Sequence, residues 1–199
     1  MDLWIFIIAA ALLSIERMSY AYIWRFPEAF RVFCDRSSII IPMGAPIDAL
    51  RKLFYGFKLI QLSVFFGWCY YFGAGSLSAF NGGVLSIVIG SVLILVGQIF
   101  NFSVFYKLGK IGVFYGNKFG YDVPRTNAFP FSLLKHPQYI GTLMSIWGFF
   151  IVMRYPYDDW AVLPILQTLY YILGVYFEQE DSCSGEAKPA RQENRPRRT

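Results

Sequence analysis

GGVLSIVIGSVLILVGQIFNFSVFY, residues 82–106, runs without a single charged side chain. A bilayer hydrocarbon core of about 30 Å needs roughly 20 helical residues, so the stretch reads as a membrane-crossing helix. Comparable apolar stretches lie at about 2–24 and 53–72. A fourth apolar region, about 137–177, is interrupted only by RYPYDD at 154–159. Its two arms are each slightly short, which predicts a helical hairpin reaching only partly through the bilayer. Glycines and Asn81 in AGSLSAFNGG separate the second span from the third. The expected fold class is an all-α integral membrane protein of four to five transmembrane or re-entrant helices. Composition agrees: 56% of residues are hydrophobic and 20% aromatic, against ~45–50% apolar in soluble domains.

Charge sets the orientation. Arg25, Arg31, Arg36, Arg51 and Lys52 crowd loop 25–52, whereas loop 73–81 has no Lys or Arg. Lys107, Lys110, Lys118, Arg125 and Lys135 crowd loop 107–136, and turn 154–159 holds only Arg154. The tail adds Lys188, Arg191, Arg195, Arg197 and Arg198. Basic residues collect on the cytosolic side, so the N-terminus is expected outside or in a lumen, and both long loops and the tail in the cytosol. The net charge of +5 therefore reflects topology and is no nucleic-acid signal. The N-terminus lacks a basic leader and a small-residue cleavage site, so its first helix reads as retained. Cys34, Cys69 and Cys183 are scattered, with no disulfide framework and no metal-ligand spacing. Three regions are expected: N-terminal helices with a basic cytosolic loop (1–81), a core (82–180), and a disordered tail (181–199), the polar composition beginning at 178. Glu16 and Arg17 interrupt the first span. Either they face protein or water inside the membrane, or the first helix ends near Ile15 and IERMSYAYIWRF lies at the interface.

Three elements converge at the cytosolic face. Gly97 and Asn101 are four residues apart on one helix face. A small residue there admits a ligand or a neighbouring helix, and an amide in an apolar span needs partners. Next comes GKIGVFYGNKFGY, in which Gly109, Gly112, Gly116 and Gly120 interleave with aromatics. Glycines permit tight turns and close backbone approach to a bound group; a flexible interfacial loop is the plainer reading. The third is FPFSLLKHPQYIGTLMSIW, 129–147, with the chain's only histidine, His136. Pro137 suits the first turn of a helix, and Tyr139 and Gly141 follow one turn on. Glu178, after the last apolar arm, returns to the level of His136.

LGKIGVFYGNKFG, FPFSLLKHPQYIGT and YFEQE resemble the phospholipid N-methyltransferases that make phosphatidylcholine from phosphatidylethanolamine, most of all the single-chain plant and algal type. The resemblance covers roughly residues 90–180. The His-Pro-x-Tyr element is shared with isoprenylcysteine methyltransferases and some sterol reductases, while YG-x-x-FG with FPF points to the phospholipid branch. It implies S-adenosylmethionine as cofactor, in a pocket facing the cytosol. Gly97 matches the second glycine of the family's Gly-x-Gly motif, with Leu95 in place of the first; Glu178, Gln179 and Glu180 stand where the family has paired glutamates. Asn117 and Lys118 replace an acid and a tyrosine of the animal and fungal loop.

By this resemblance His136, Tyr139 and Glu178 are the expected catalytic residues. The cofactor would be held by Gly97, Asn101, Gly112, Gly116, His136, Glu178 and Glu180, and the substrate by Tyr115, Phe119, Arg125 and Lys135. No metal is expected. Tyr115 and Phe119 would face onium groups, and Lys110 and Lys118 would join Arg125 and Lys135 around the lipid phosphate. The partners are a phospholipid in the bilayer and the membrane itself, with the oligomeric state open. The family implies the endoplasmic reticulum membrane; a chloroplast or other membrane stays open. The competing readings are an isoprenylcysteine carboxyl methyltransferase, a sterol or fatty-chain reductase, and a scaffold or lipid-binding protein without catalysis.

Overall fold

The computed structural model describes residues 2–37, 44–77, 80–123 and 126–184, with 178–184 by their backbone alone. Among the described residues all regular structure is helical. In chain order the helices are α1 (Leu3–Arg25), α2 (Pro27–Arg36), α3 (Pro46–Phe72), α4 (Gly83–Val113), a short 3-10 turn at Gly116–Phe119, α5 (Pro137–Met153) and α6 (Val162–Ser184). Prolines open α2, α3 and α5, where a missing N–H costs nothing and φ is already helical. Helix α4 breaks at Gly109, whose φ of +60° is one that a side chain would oppose.

Helices α1 and α4 are long and apolar enough to cross a membrane, and α5 and the Val162–Phe177 part of α6 are shorter apolar helices. Helix α1 continues unbroken to Arg25, so the first helix does not end near Ile15. Helix α6 also continues past the point where the polar composition begins, ending at Ser184. The remaining tail, 185–199, lies outside the described residues.

The most extensive packing is α4 on α5, and glycines on both helices make it close. A Cβ on Gly148 would stand 2.5 Å from the Gly90 carbonyl oxygen, and one on Gly141 2.6 Å from that of Gly97. Both pairs are seven residues apart, two helical turns, so the backbones touch twice along one antiparallel seam. This register sets α5's start, beside His136, opposite Phe102, roughly 10 Å short of the Gly109 kink at ~1.5 Å per residue.

The missing length of α5 therefore lies at this end and not at the hairpin tip. There the Phe80 N–H donates to Val152 O (3.1 Å), and Trp68 Nε1 donates to Asp159 Oδ2 (2.8 Å). Arg154, 3% exposed, donates through Nε to the same carboxylate at 3.0 Å. Tyr71 OH donates to Asp2 (2.6 Å), so the start of α1 shares that end. Two apolar clusters form the core. Leu13, Phe65, Trp68, Ile146 and Phe150 pack towards the hairpin tip; Ile23, Phe30, Leu50 and Phe114 pack towards α2.

Candidate active site

Between the two clusters lies a cavity of about 570 Å³, within the ~300–1,000 Å³ common for small-molecule sites. It occupies the space that the late start of α5 leaves beside α4. Helices α1, α3, α4, α5 and α6 and the loop after α4 all contribute walls.

His136, Tyr139, Asn101, Gly112, Tyr115 and Lys135 all border this cavity. His136 caps α5, and its ring stacks on Tyr139 with centroids 5.8 Å apart, as a helical i, i+3 relation allows. Asn101 accepts a hydrogen bond from Thr142 Oγ1 at 3.3 Å, so the amide in the apolar span has its partner across the seam. Tyr115 sits in the left-handed region with φ +55°, an uncommon backbone for a non-glycine. Its ring meets Trp24 (5.1 Å) and Tyr20 (5.9 Å) edge-on.

Other expected site residues stand elsewhere. Gly97 lies in the α4–α5 seam, with Ser145 Oγ 2.5 Å from where its Cβ would be, and is absent from the cavity lining. Gly116 is buried in the 3-10 turn, where a Cβ would meet the Ile111 carbonyl oxygen at 2.6 Å. Phe119 packs on Phe30 (6.0 Å). The side chains of Glu178 and Glu180, and Arg125 entirely, lie outside the described residues. Of the other loop cations, Lys110 pairs with Asp48 and Lys118 Nζ rests 4.0 Å above the Trp24 ring. The Lys110 hydrogen bond holds the Asp48 carboxyl below its ordinary range.

Sequence reasoning did not place the N-terminal helices at the site, yet α1 and α3 supply its most polar wall. Glu16, 6% exposed, receives Arg17 Nη2 at 2.9 Å and Lys58 Nζ at 3.0 Å. Lys58 also donates to Gln61 Oε1 at 3.0 Å. The Arg17 guanidinium lies 3.7 Å above the Tyr171 ring and 5.8 Å from that of Tyr139. On α4, Gln98 Nε2 donates to Ser145 Oγ at 3.0 Å. The available signal was spacing: Lys58/Gln61 and Gln98/Asn101 are i, i+3 pairs, and Glu16/Tyr20 an i, i+4 pair, each putting polar groups on one helix face.

Comparison with known proteins bears on the second half of the chain. Residues 85–181 match the family model described as phospholipid methyltransferase. Phosphatidyl-N-methylethanolamine N-methyltransferase of Arabidopsis thaliana is 31% identical over 96 residues, 48% of this chain and 55% of that protein. Phosphatidylethanolamine N-methyltransferase of Rattus norvegicus is 34% identical over 92 residues, 46% of this chain and 45% of its own length. The Homo sapiens protein of that name is 32% identical over 103 residues, 51% and 47% of the two chains. The chain thus spans about half the length of the curated relatives it matches. No solved structure matches it. The resemblance carried by the loop and the His136 run is borne out over this segment.

Proposed function

We propose that the chain is an S-adenosylmethionine-dependent N-methyltransferase acting on phosphatidylethanolamine-type head groups, including the mono- and dimethylated lipids. One observation carries the reading: His136, Tyr139, Asn101, Gly112 and Tyr115, spread over the family-matched segment, line a single cavity. S-adenosylmethionine, when bound, would supply an electrophilic methyl group, whose carbon a neutral amine attacks in line as the sulfur leaves with S-adenosylhomocysteine. The donor set suits such an onium group, because the aromatic walls of Tyr20, Tyr115 and Tyr139 offer cation–π surfaces worth ~0.5–2 kcal/mol each. Asn101 and Tyr139 would hold the cofactor, and Glu178 and Glu180 are proposed to share that role.

The chain's own task is to deliver the lipid amine deprotonated and aligned, which is chiefly positioning and exclusion of water. His136 and Glu178 are the groups proposed to take the amine's proton. Tyr139, stacked on His136, fixes the imidazole's orientation. Lys135, at the mouth of the cavity, would hold the lipid phosphate.

The membrane reading rests on the two long apolar helices and the basic loops at the His136 end. It supports a multi-pass protein whose cavity opens to the cytosol, with the endoplasmic reticulum as the expected membrane. Membranes containing the chain, given methyl-labelled S-adenosylmethionine, should label mono-, di- or trimethylated lipid. Release of methanol by base from labelled protein would instead identify a carboxyl methyltransferase, and no label at all would overturn enzymatic methyl transfer.

A further inference from the structure

The polar wall supplied by α1 and α3 lies outside the family-matched segment, which begins at residue 85. Among the described residues its charge is unbalanced. Arg17 and Lys58 both bond the Glu16 carboxylate, so two cations share one anion. The cluster is also deep: Glu16 lies nine residues inside the Arg25 end of α1, about 14 Å along the helix. Ionisable groups at such depth are costly unless they face a partner, water or a ligand.

Gln61 adds an independent observation. It is 6% exposed and borders the cavity. Because Lys58 is a pure donor, the hydrogen bond at 3.0 Å turns the amide oxygen of Gln61 towards Lys58. The amide Nε2 therefore faces elsewhere, and it is buried with no acceptor among the described residues. A buried donor of this kind is rarely left unpaired in a native structure. An excess cation and an unsatisfied N–H beside one cavity ask for the same thing, an anionic acceptor.

We infer that Arg17, Lys58 and Gln61 form an oxyanion site in the cavity floor, built from the N-terminal helices and separate from Lys135 at the mouth. This rests on the methyl-transfer reading, in which each bound molecule carries such a group: the cofactor its carboxylate, the lipid its phosphodiester. The tyrosine stack beneath Arg17 holds the guanidinium in place, so the site is preorganised. Glu16 fixes both cations and keeps the empty floor from carrying a double positive charge.

The test uses the full chain in liposomes, with Lys58→Met and Gln61→Leu. S-adenosylhomocysteine binding is read by calorimetry and the KM for phosphatidylethanolamine by label transfer. If the floor seats the carboxylate, Lys58→Met weakens S-adenosylhomocysteine binding about tenfold or more. The decarboxylated analogue then binds wild type and variant alike. If it seats the phosphodiester, S-adenosylhomocysteine binding is unchanged and the KM for lipid rises about tenfold. Gln61→Leu, nearly isosteric and uncharged, should move the same quantity by several-fold and carries the test if Lys58→Met does not fold. Wild-type values of both quantities in both folded variants overturn the inference. Failure of the wild type itself to bind S-adenosylhomocysteine would instead remove the methyl-transfer reading.

Discussion

Gly97 separates a packing role from a ligand role, and Gly97→Ala decides between them. At an unobstructed helical position Gly→Ala gains ~1 kcal/mol of helix propensity. Gly174 in α6 is such a position, with nothing within 4 Å of a built Cβ. At Gly97 the new methyl would meet Ser145 Oγ at 2.5 Å and Ser145 N at 3.0 Å, so α4 and α5 must move apart. Opening a packed seam by 0.5–1 Å forfeits a quarter to a half of each contact's attraction, and overpacking costs ~1–3 kcal/mol. Contacts this short put the cost in the upper part of that range, ~2–3 kcal/mol, so after the propensity gain a net loss of about 1–2 kcal/mol remains. For a chain of this size that lowers Tm by roughly 2–8 °C. Gly90→Ala, with a Cβ 2.7 Å from the Gly148 carbonyl oxygen, should lose a similar amount, while Gly174→Ala should gain. Thermal unfolding in detergent, with S-adenosylhomocysteine affinity measured beside it, gives the answer. A Gly97→Ala protein as stable as wild type but with selectively weakened cofactor binding would refute the seam assignment.

Three further outcomes are expected. His136→Ala should slow lipid methylation by ~10²–10⁴-fold, the range for a lost general base; near-normal label transfer would remove it from the chemistry. Asp159→Asn removes the carboxylate that holds buried Arg154. The uncompensated charge should cost ~3–5 kcal/mol, read as a fall in Tm; an unchanged melt would show that the hairpin tip does not depend on this pair. The Asp48–Lys110 pair should depend on pH in one direction. Since the folded Asp48 carboxyl lies below its ordinary range, its contribution is full above the unfolded value, ~3.9, and fades as pH falls through the folded one. Amide exchange around Val113 should quicken on acidification in wild type but change little in Lys110→Gln, and equal acceleration in both would contradict the linkage.

Periodicity and length made the long helices legible. The stretches 2–24 and 82–106 correspond to α1 and to the body of α4, and the 154–159 interruption to the turn between α5 and α6. Helix α3 begins at Pro46, before the apolar stretch at 53, because its first turns are amphipathic and carry Asp48, Arg51 and Lys52. The short α2 was not legible because its four charged residues, Glu28, Arg31, Asp35 and Arg36, break up its apolar ones and it follows directly on α1. At the site, the family-matched residues could be read from the chain because their motifs are local. The wall made by Glu16, Arg17, Lys58 and Gln61 could not, because its meaning lies in a contact between helices. Glu16 and Lys58 are 42 residues apart in sequence. In isolation each reads only as a costly polar residue in an apolar run; side by side they neutralise one another and leave a cation over. Gly97 shows the converse. A small residue at a helix face fits a ligand as well as a neighbouring backbone, and only the position of α5 distinguishes the two.

Where the methyl donor sits is the point on which the functional reading stands or falls. Ultraviolet cross-linking of methyl-labelled S-adenosylmethionine to the purified chain, followed by peptide mapping, locates it directly. Label is expected in peptides containing Tyr115, the His136–Thr142 turn or Tyr171, and excess S-adenosylhomocysteine should abolish it. Label confined to segments away from the cavity, or insensitive to that competitor, would contradict the assignment of the cavity as the active site.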